Sequence, residues 1–342
     1  MKTMKKLVKS TKPTRLAFAE RMVEYGDINK DFAVFEADIG YSTNSYLFNQ
    51  KYPERYFQMG IAEFGMMASA SGMAASGRPV VVAGYGVFLT MRALESVRSF
   101  ICYPNLNVKL MSSHGGTTAA IDGVTHQASE DIALMTSIPN MHVFAPCDSA
   151  STRALFDVTM ETQGPVYCRL MRDAYYELYD ESFKFSCGGS HVVCTGSDLT
   201  IVSYGDILFQ AIEAAEELRA SGISVEVIDA YSVKPLDWET IKTSIKKTGH
   251  LIVAEGHQQR NGMAYEIAAR MAKAGISAKF KHLGLKDTFA ESGAYPMLLE
   301  KYGLSAKHII DAAIAMGIKP ASSTQPHKNQ STHQQAQGVT NV

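Results

Sequence analysis

The chain has 342 residues, 46% of them hydrophobic and 20% charged, which is enough for about two domains with cores of their own and too apolar for a disordered chain. Thirty-three basic residues against 34 acidic ones leave a net charge of −1, which excludes the basic excess of a general nucleic-acid binder. No apolar run approaches the roughly 18 residues of a membrane span, and the longest, 80–89, is broken by Gly84 and Gly86.

The first 13 residues carry Lys2, Lys5, Lys6, Lys9 and Lys12. No apolar core of roughly 7–15 residues follows them, so 1–13 reads as an arm and not as a secretory signal. A helix is expected over 14–25 and a strand over 31–37. Strands at 56–59, 79–83, 108–112, 142–145 and 165–170 then alternate with helices at 61–76, 87–102, 127–137 and 149–161. Short continuous apolar runs suit strands covered on both faces, and the alternation predicts a mainly parallel, doubly wound α/β sheet over 14–172. Residues 173–190 have no clear period and read as a linker. A second α/β block over 191–320 follows, with strands at 199–203, 224–228, 251–254 and 279–283. Its first helix sets Leu208, Ala211, Ile212, Ala215 and Leu218 on one face, with Gly222 past its end. Further helices are expected over 238–245, 262–274 and 306–316. The Ser-, Thr-, Gln- and Asn-rich segment 321–342 has no aromatic residue and predicts a disordered tail. Five cysteines, odd in number and without a CxxC, read as reduced thiols of a cytoplasmic protein.

Ligands of open α/β sheets bind beyond the carboxyl ends of the strands. Four stretches lie at such ends: Glu36 to Ser42, Met59 to Glu63, Ala83 to Phe88, and the long loop from Ser112 to Gln127. The last ends in a histidine at an expected helix start and is longer than a strand–helix turn needs. Glu63 in the first turn of a small-residue helix reads either as an acid favoured by the helix dipole or as a partly desolvated carboxylate that shares a proton with a ligand nitrogen. His114 and His126 have no third residue at metal-site spacing, so no metal ligands are assigned to this chain. Asp122 fits a turn or a helix cap, and Tyr85 and Phe88 fit core aromatics, as well as they fit a site. The absence of a G-x-S-x-G elbow speaks against a serine hydrolase.

Taken together and in order, Gly60-Ile61-Ala62-Glu63-Phe64-Gly65-Met66, Asp122-Gly123-Val124-Thr125-His126-Gln127 and Ile138-Pro139-Asn140-Met141 resemble the C-terminal half of a transketolase, from about 14 to 317. The resemblance implies a thiamine-diphosphate-binding fold: a pyrimidine-binding domain followed by the transketolase C-terminal α/β domain. It implies that Glu63 hydrogen-bonds N1′ of the cofactor's aminopyrimidine and so promotes the tautomer that deprotonates the thiazolium. Tyr85, Phe88 and Met91 match ring-contacting positions, and Asp38 and Ile39 match the stretch that supports the bent cofactor. Asp122 and His126 match residues on the donor's hydroxyls, and Arg15, Ser42, His114 and Arg172 match a sugar-phosphate cluster. Two arginines with a hydroxyl and an imidazole suit such an anion. Tyr85 stands where the family usually has Phe, Met91 where it has an aromatic, Val124 where it has Pro, and Ala119-Ala120-Ile121 where it has a Gly/Glu-containing stretch.

The family's diphosphate and metal site is a G-D-G motif with a later Asn, and this sequence contains no G-D-G. The resemblance therefore implies a separate N-terminal subunit carrying that domain and the ligands of Mg²⁺ (or Ca²⁺ or Mn²⁺), in an α2β2 or larger complex. The expected reaction moves a two-carbon ketol unit from a ketose phosphate to an aldose, and the altered loop leaves room for a branched or sulfonated sugar. Ile228 to Pro235 is of a kind seen in the β subunit of 2-oxoacid dehydrogenases and in 1-deoxyxylulose-5-phosphate synthase, which keeps those readings open. A binding domain that has lost catalysis is the non-enzymatic alternative, and the retained Glu63 and His126 speak against it.

Overall fold

A computed structural model describes residues 7–318. Its strands, in chain order, are β1 (Val8–Lys9), β2 (Ala33–Glu36), β3 (Tyr56–Gln58), β4 (Val80–Tyr85), β5 (Val108–Ser113), β6 (His142–Phe144), β7 (Val166–Arg169), β8 (Tyr176–Glu177), β9 (His191–Cys194), β10 (Leu199–Ser203), β11 (Val225–Asp229), β12 (Ser232–Lys234), β13 (His250–Gln258) and β14 (Lys279–Leu285). Seven of them form one sheet in the order β12-β6-β7-β5-β4-β2-β3, and five form a second in the order β14-β13-β10-β11-β9. β4 and β5 are buried at every position, which requires helices on both faces of the sheet. Within the first sheet every pairing among β2 to β7 is parallel, so their carboxyl ends gather at one rim. The expected α/β fold with a mainly parallel sheet is the one observed.

One strand crosses between the two halves of the chain. β12 follows the second block's β11, yet it pairs antiparallel with β6 and closes the edge of the first sheet. The lysine at its end makes this possible, because Lys234 Nζ donates to the carbonyls of Thr136 and Ile138 at 2.9 and 2.6 Å. An exposed sheet edge is covered in this way, and part of the interior is common to both halves. A single core cluster joins Val82, Leu110 and Val143 to Val202, Ile228 and Val253.

Several element boundaries differ from the sequence expectation, for local reasons. The helix expected over 127–137 begins only at Asp131, because Ala128 is bridged to Gly115 and Gly116 and the Gln127 side chain donates to the Glu291 carbonyl at 3.1 Å. His126 therefore lies in a loop and not at a helix start. The segment expected as a helix over 87–102 is π-helical over Phe88–Arg92 and again over Val97–Cys102, with one short α-turn between. Such widened turns are frequent at functional sites. Residues 173–190 are more than a linker. β8 pairs with β1, and the Asp148 carboxylate accepts the backbone N–H groups of Leu178 and Tyr179, both at 2.8 Å, while it also caps the helix Ser149–Glu161. Residues 7–13 of the expected arm are thus tied to the body. The expected tail 321–342 lies outside the described residues.

Candidate active site

The carboxyl rim of the first sheet collects nearly all the residues singled out in the sequence. After β2 the chain turns sharply at Asp38, which has a φ of 61° and accepts a hydrogen bond from Gln58 Nε2 at 2.6 Å. The Ile39 N–H donates to the Glu36 carboxylate at 2.7 Å, so a buried acid holds this turn. Burial pushes the Glu36 carboxyl up. The short helix Gly40–Thr43 then presents Ser42.

Arg15 comes from the start of the helix Thr14–Ile28, and its Nη1 donates to the Ser42 carbonyl at 2.5 Å and to Ser42 Oγ at 3.3 Å. Its Nε is buried without a hydrogen-bond partner among the described residues. The Tyr85 hydroxyl, at the end of β4, donates to the same Ser42 Oγ at 2.5 Å. The Thr14 hydroxyl accepts the Met171 N–H at 2.7 Å, which ties the helix start to the end of β7 beside Arg172.

His114, after β5, has a φ of 63°, and its ring lies 4.1 Å from that of Tyr85. Its Nδ1 is 2.8 Å from Ser113 Oγ. Burial, reinforced by the nearby positive charges of Arg15 and Arg172, pushes it down to about 3, so it is neutral at ordinary pH. Asp122 reaches Arg172 Nε at 3.2 Å and stands 3.6 Å from His114 Nε2. Arg172 in turn donates from Nη1 to Asp173 at 3.1 Å. The structure thus brings Arg15, Ser42, Tyr85, His114, Asp122 and Arg172 into one cluster, with Asp173 as a member that the sequence reading missed.

A second group lies along the same rim. Glu63 opens the helix Glu63–Ala75 and is 2% exposed. Both of its oxygens accept from Arg92 Nη1, at 2.8 and 3.0 Å. The Arg92 guanidinium also lies 4.4 Å from the centre of the Phe88 ring. Phe88 is 5.5 Å from the His126 ring and 5.8 Å from Tyr85, so these rings link Glu63 to the Arg15–Arg172 cluster. Met91 is exposed on the same π-helical segment, and His126 Nδ1 is 2.9 Å from Thr125 Oγ1. Arg92 was legible only in hindsight. It stands four residues after Phe88 in a segment expected to be helical, a spacing that puts a cation and a ring side by side.

The loop that carries Asp122 and His126 is held from below. Arg169, 4% exposed, donates to Asp131 at 2.8 Å, to the Ala128 carbonyl at 3.2 Å and, across to the second half, to the Gly256 carbonyl at 2.8 Å. Gly116 packs so closely on Gly256 and Arg169, at a φ of 58°, that no side chain fits there. Ala120 has a φ of 51°, and the Gly293 N–H donates to its carbonyl. Non-glycine residues with positive φ at Asp38, His114 and Ala120 mark this rim as strained, as functional loops often are. Among the described residues, no three His, Cys, Asp or Glu side chains are placed to hold a metal ion.

Residues 10–177 match the transketolase pyrimidine-binding domain, and 188–309 match the transketolase C-terminal domain. Over 308 residues the chain is 35% identical to a putative transketolase C-terminal section of Methanocaldococcus jannaschii, covering 90% of this chain and 96% of that one. The chain belongs to the transketolase family. It is also 34% identical over 299 residues to the 6-deoxy-6-sulfo-D-fructose transketolase subunit of a Clostridium species, covering 87% of this chain and 92% of that one. A solved split-gene transketolase, an inactive β4 tetramer, superposes with a TM-score of 0.82 at 38% identity, covering 91% of this chain and 100% of that one. The two transketolase domains imply thiamine diphosphate dependence in general terms. Among the described residues of this transketolase-family chain, no helix is long and apolar enough to cross a membrane.

Proposed function

We propose that this chain is the C-terminal subunit of a cytoplasmic two-chain transketolase that moves a two-carbon ketol unit from a ketose phosphate, or a branched or sulfonated variant, to an aldose. The observation that carries the reading is a buried carboxylate, Glu63, joined through the rings of Phe88, His126 and Tyr85 to a two-arginine anion cluster on one sheet rim. The sulfonated variant draws support from the relative named for 6-deoxy-6-sulfo-D-fructose. The β subunit of a 2-oxoacid dehydrogenase has no comparable use for Arg15, Ser42, His114 and Arg172 together. On the same reading, the pyrimidine-binding domain spans 14–172 and the second domain 191–320.

The residues present fit an aminopyrimidine. Glu63 is shielded from water and takes its hydrogen bonds from one guanidinium atom, which leaves lone pairs on both oxygens. When bound, thiamine diphosphate would supply the electron sink for the carbon–carbon bond that breaks. Glu63 holds and exchanges the proton at the pyrimidine ring nitrogen. Phe88, Tyr85 and Met91 cover the ring, and the Asp38–Ile39 turn supports it from the neighbouring strand end. Asp122 and His126 orient the donor's hydroxyls. Arg15, Ser42, neutral His114 and Arg172 hold its anionic end.

The diphosphate and the metal, Mg²⁺ or a similar cation, fall to an N-terminal partner subunit in an α2β2 complex. Two features support this. The sequence has no G-D-G, and the face around Glu63 is apolar and open, with Ile61 75% and Tyr103 87% exposed beside the edge-to-face pair Phe64 and Phe100. The test is reconstitution. The chain alone should show no ketol transfer, and the chain co-purified with an N-terminal subunit should transfer from a ketose phosphate to an aldose. Transfer by the isolated chain, or 2-oxoacid decarboxylation by the pair, would refute the reading. In that complex Arg172→Ala should raise KM for phosphorylated ketoses about tenfold, as loss of one charge-assisted contact does, and leave KM for unphosphorylated ones nearly unchanged. Equal effects on both would remove Arg172 from the anion site.

A further inference from the structure

We propose that Asp173 sets the charge preference of the end-group site, so that the site takes a singly charged end group, a sulfonate, ahead of a doubly charged phosphate. This inference rests on the ketol-transfer reading and narrows its substrate class.

The argument is one of charge balance. The cluster has two permanent positive charges, Arg15 and Arg172. Arg172 already carries two carboxylates, Asp122 on Nε at 3.2 Å and Asp173 on Nη1 at 3.1 Å. Asp173 is also the strongest charge acting on Arg15, ahead of Arg172, Tyr85 and Asp122. His114 adds nothing, because burial keeps its imidazole neutral. The four charged groups therefore sum to zero before any ligand arrives.

A sulfonate and a phosphate monoester both offer three terminal oxygens in a tetrahedral array, so the hydrogen-bond geometry of Arg15, Ser42 and Arg172 scarcely separates them. Charge separates them. A monoanion brings the cluster to −1, whereas a dianion brings it to −2 next to two fixed carboxylates in a half-buried setting. Asp122 is committed to the sugar hydroxyls and cannot be dispensed with. Asp173 is half-exposed, at 46% of its side chain, and its carboxylate accepts from Arg172 Nη1, so its charge acts on both arginines of the anion site as well as on the neighbouring Tyr175 hydroxyl.

The test compares Asp173→Asn with the unaltered chain, each in complex with the N-terminal subunit. The donors are matched ketohexoses with a 6-phosphate, a 6-sulfonate or a free 6-hydroxyl. The unaltered complex should prefer the sulfonate. Asp173→Asn should raise kcat/KM for the phosphate about two- to fivefold, the scale of one unit charge beside a partly exposed arginine, raise it less for the sulfonate and leave the neutral sugar unchanged. Asp173→Glu keeps the charge and should keep the preference. A preference for phosphate in the unaltered complex, or equal changes across the three donors, would overturn the proposal.

A second measurement needs no turnover. Calorimetric titration of the full chain with methyl phosphate and with methanesulfonate at about pH 8, where the phosphate is doubly charged, should show Asp173→Asn tightening methyl phosphate selectively. If the complex transfers from none of the donors, the ketol reading fails, while the titration still decides the role of Asp173. No selective tightening there overturns it.

Discussion

Glu63→Ala and Glu63→Gln should both fold normally and lose ketol transfer, with kcat lowered by about 10²–10⁴-fold, the range that a positioned acid or base contributes. The carboxyl is 2% exposed at the first turn of its helix, where it meets the aromatic segment after β4. Gln keeps the shape and the hydrogen-bond reach but cannot exchange a proton, so it isolates the chemistry from the packing. Loss of the carboxylate leaves Arg92 without its ion-pair partner, yet half of the Arg92 side chain is in water and the released charge is readily solvated. Thermal unfolding should therefore change little while turnover collapses. Near-normal turnover in Glu63→Gln would sink the assigned role. A collapse of the melting temperature would instead make Glu63 a structural residue.

Breaking the Asp131–Arg169 pair should cost the fold far more. Asp131 is fully buried and Arg169 nearly so, and they meet at 2.8 Å. The Tyr167 hydroxyl adds a 2.6 Å hydrogen bond to the same carboxylate. Burial costs Arg169 solvation, but Asp131 and the surrounding acids more than offset it, so the guanidinium stays charged. Asp131→Ala leaves that charge without its counterion in the interior, and such a cut destabilises by about 3–5 kcal/mol. Arg169→Met should cost a similar amount and also free the Ala128 and Gly256 carbonyls, which loosens the loop under Asp122 and His126. The double variant should lose less than the sum of the two, because neither charge is then left alone. Urea denaturation measures all three. A loss below about 1 kcal/mol for Asp131→Ala, the scale of a surface pair, would show that water reaches the cluster.

How much of the site was legible depended on whether a residue acts through its position along the chain or through a distant partner. Glu63, Asp122 and His126 stand in a motif with a fixed order, and each lands on the rim where parallel strands end. Arg92 and Asp173 were not legible as site residues. A charged residue on an expected helix or just past a strand reads as solvated surface, and only the fold shows that Arg92 closes on Glu63 and that Asp173 stands close enough to act on Arg15. The helix expected from 127 failed for a related reason. Local propensity allows it, but Arg169 and the Glu291 carbonyl hold the chain out of the helix as far as Glu130.

The sequence by itself determined the alternation of strands and helices, the two α/β units and the rim that gathers the candidate site residues. Continuous apolar runs can be satisfied only when both sheet faces are covered, and parallel strands then place every following loop on one side. The tertiary structure alone decided that β12 leaves its own unit to close the first sheet, that Arg169 joins the two halves beneath the loop of Asp122 and His126, and that Arg15 and Arg172 meet Asp122 and Asp173 in one cluster. Those outcomes depend on which buried charges and edge hydrogen bonds find one another across the fold. A polar group taken from water must be satisfied by whatever the packing brings near it, and residues remote in the chain meet only when the chain has folded.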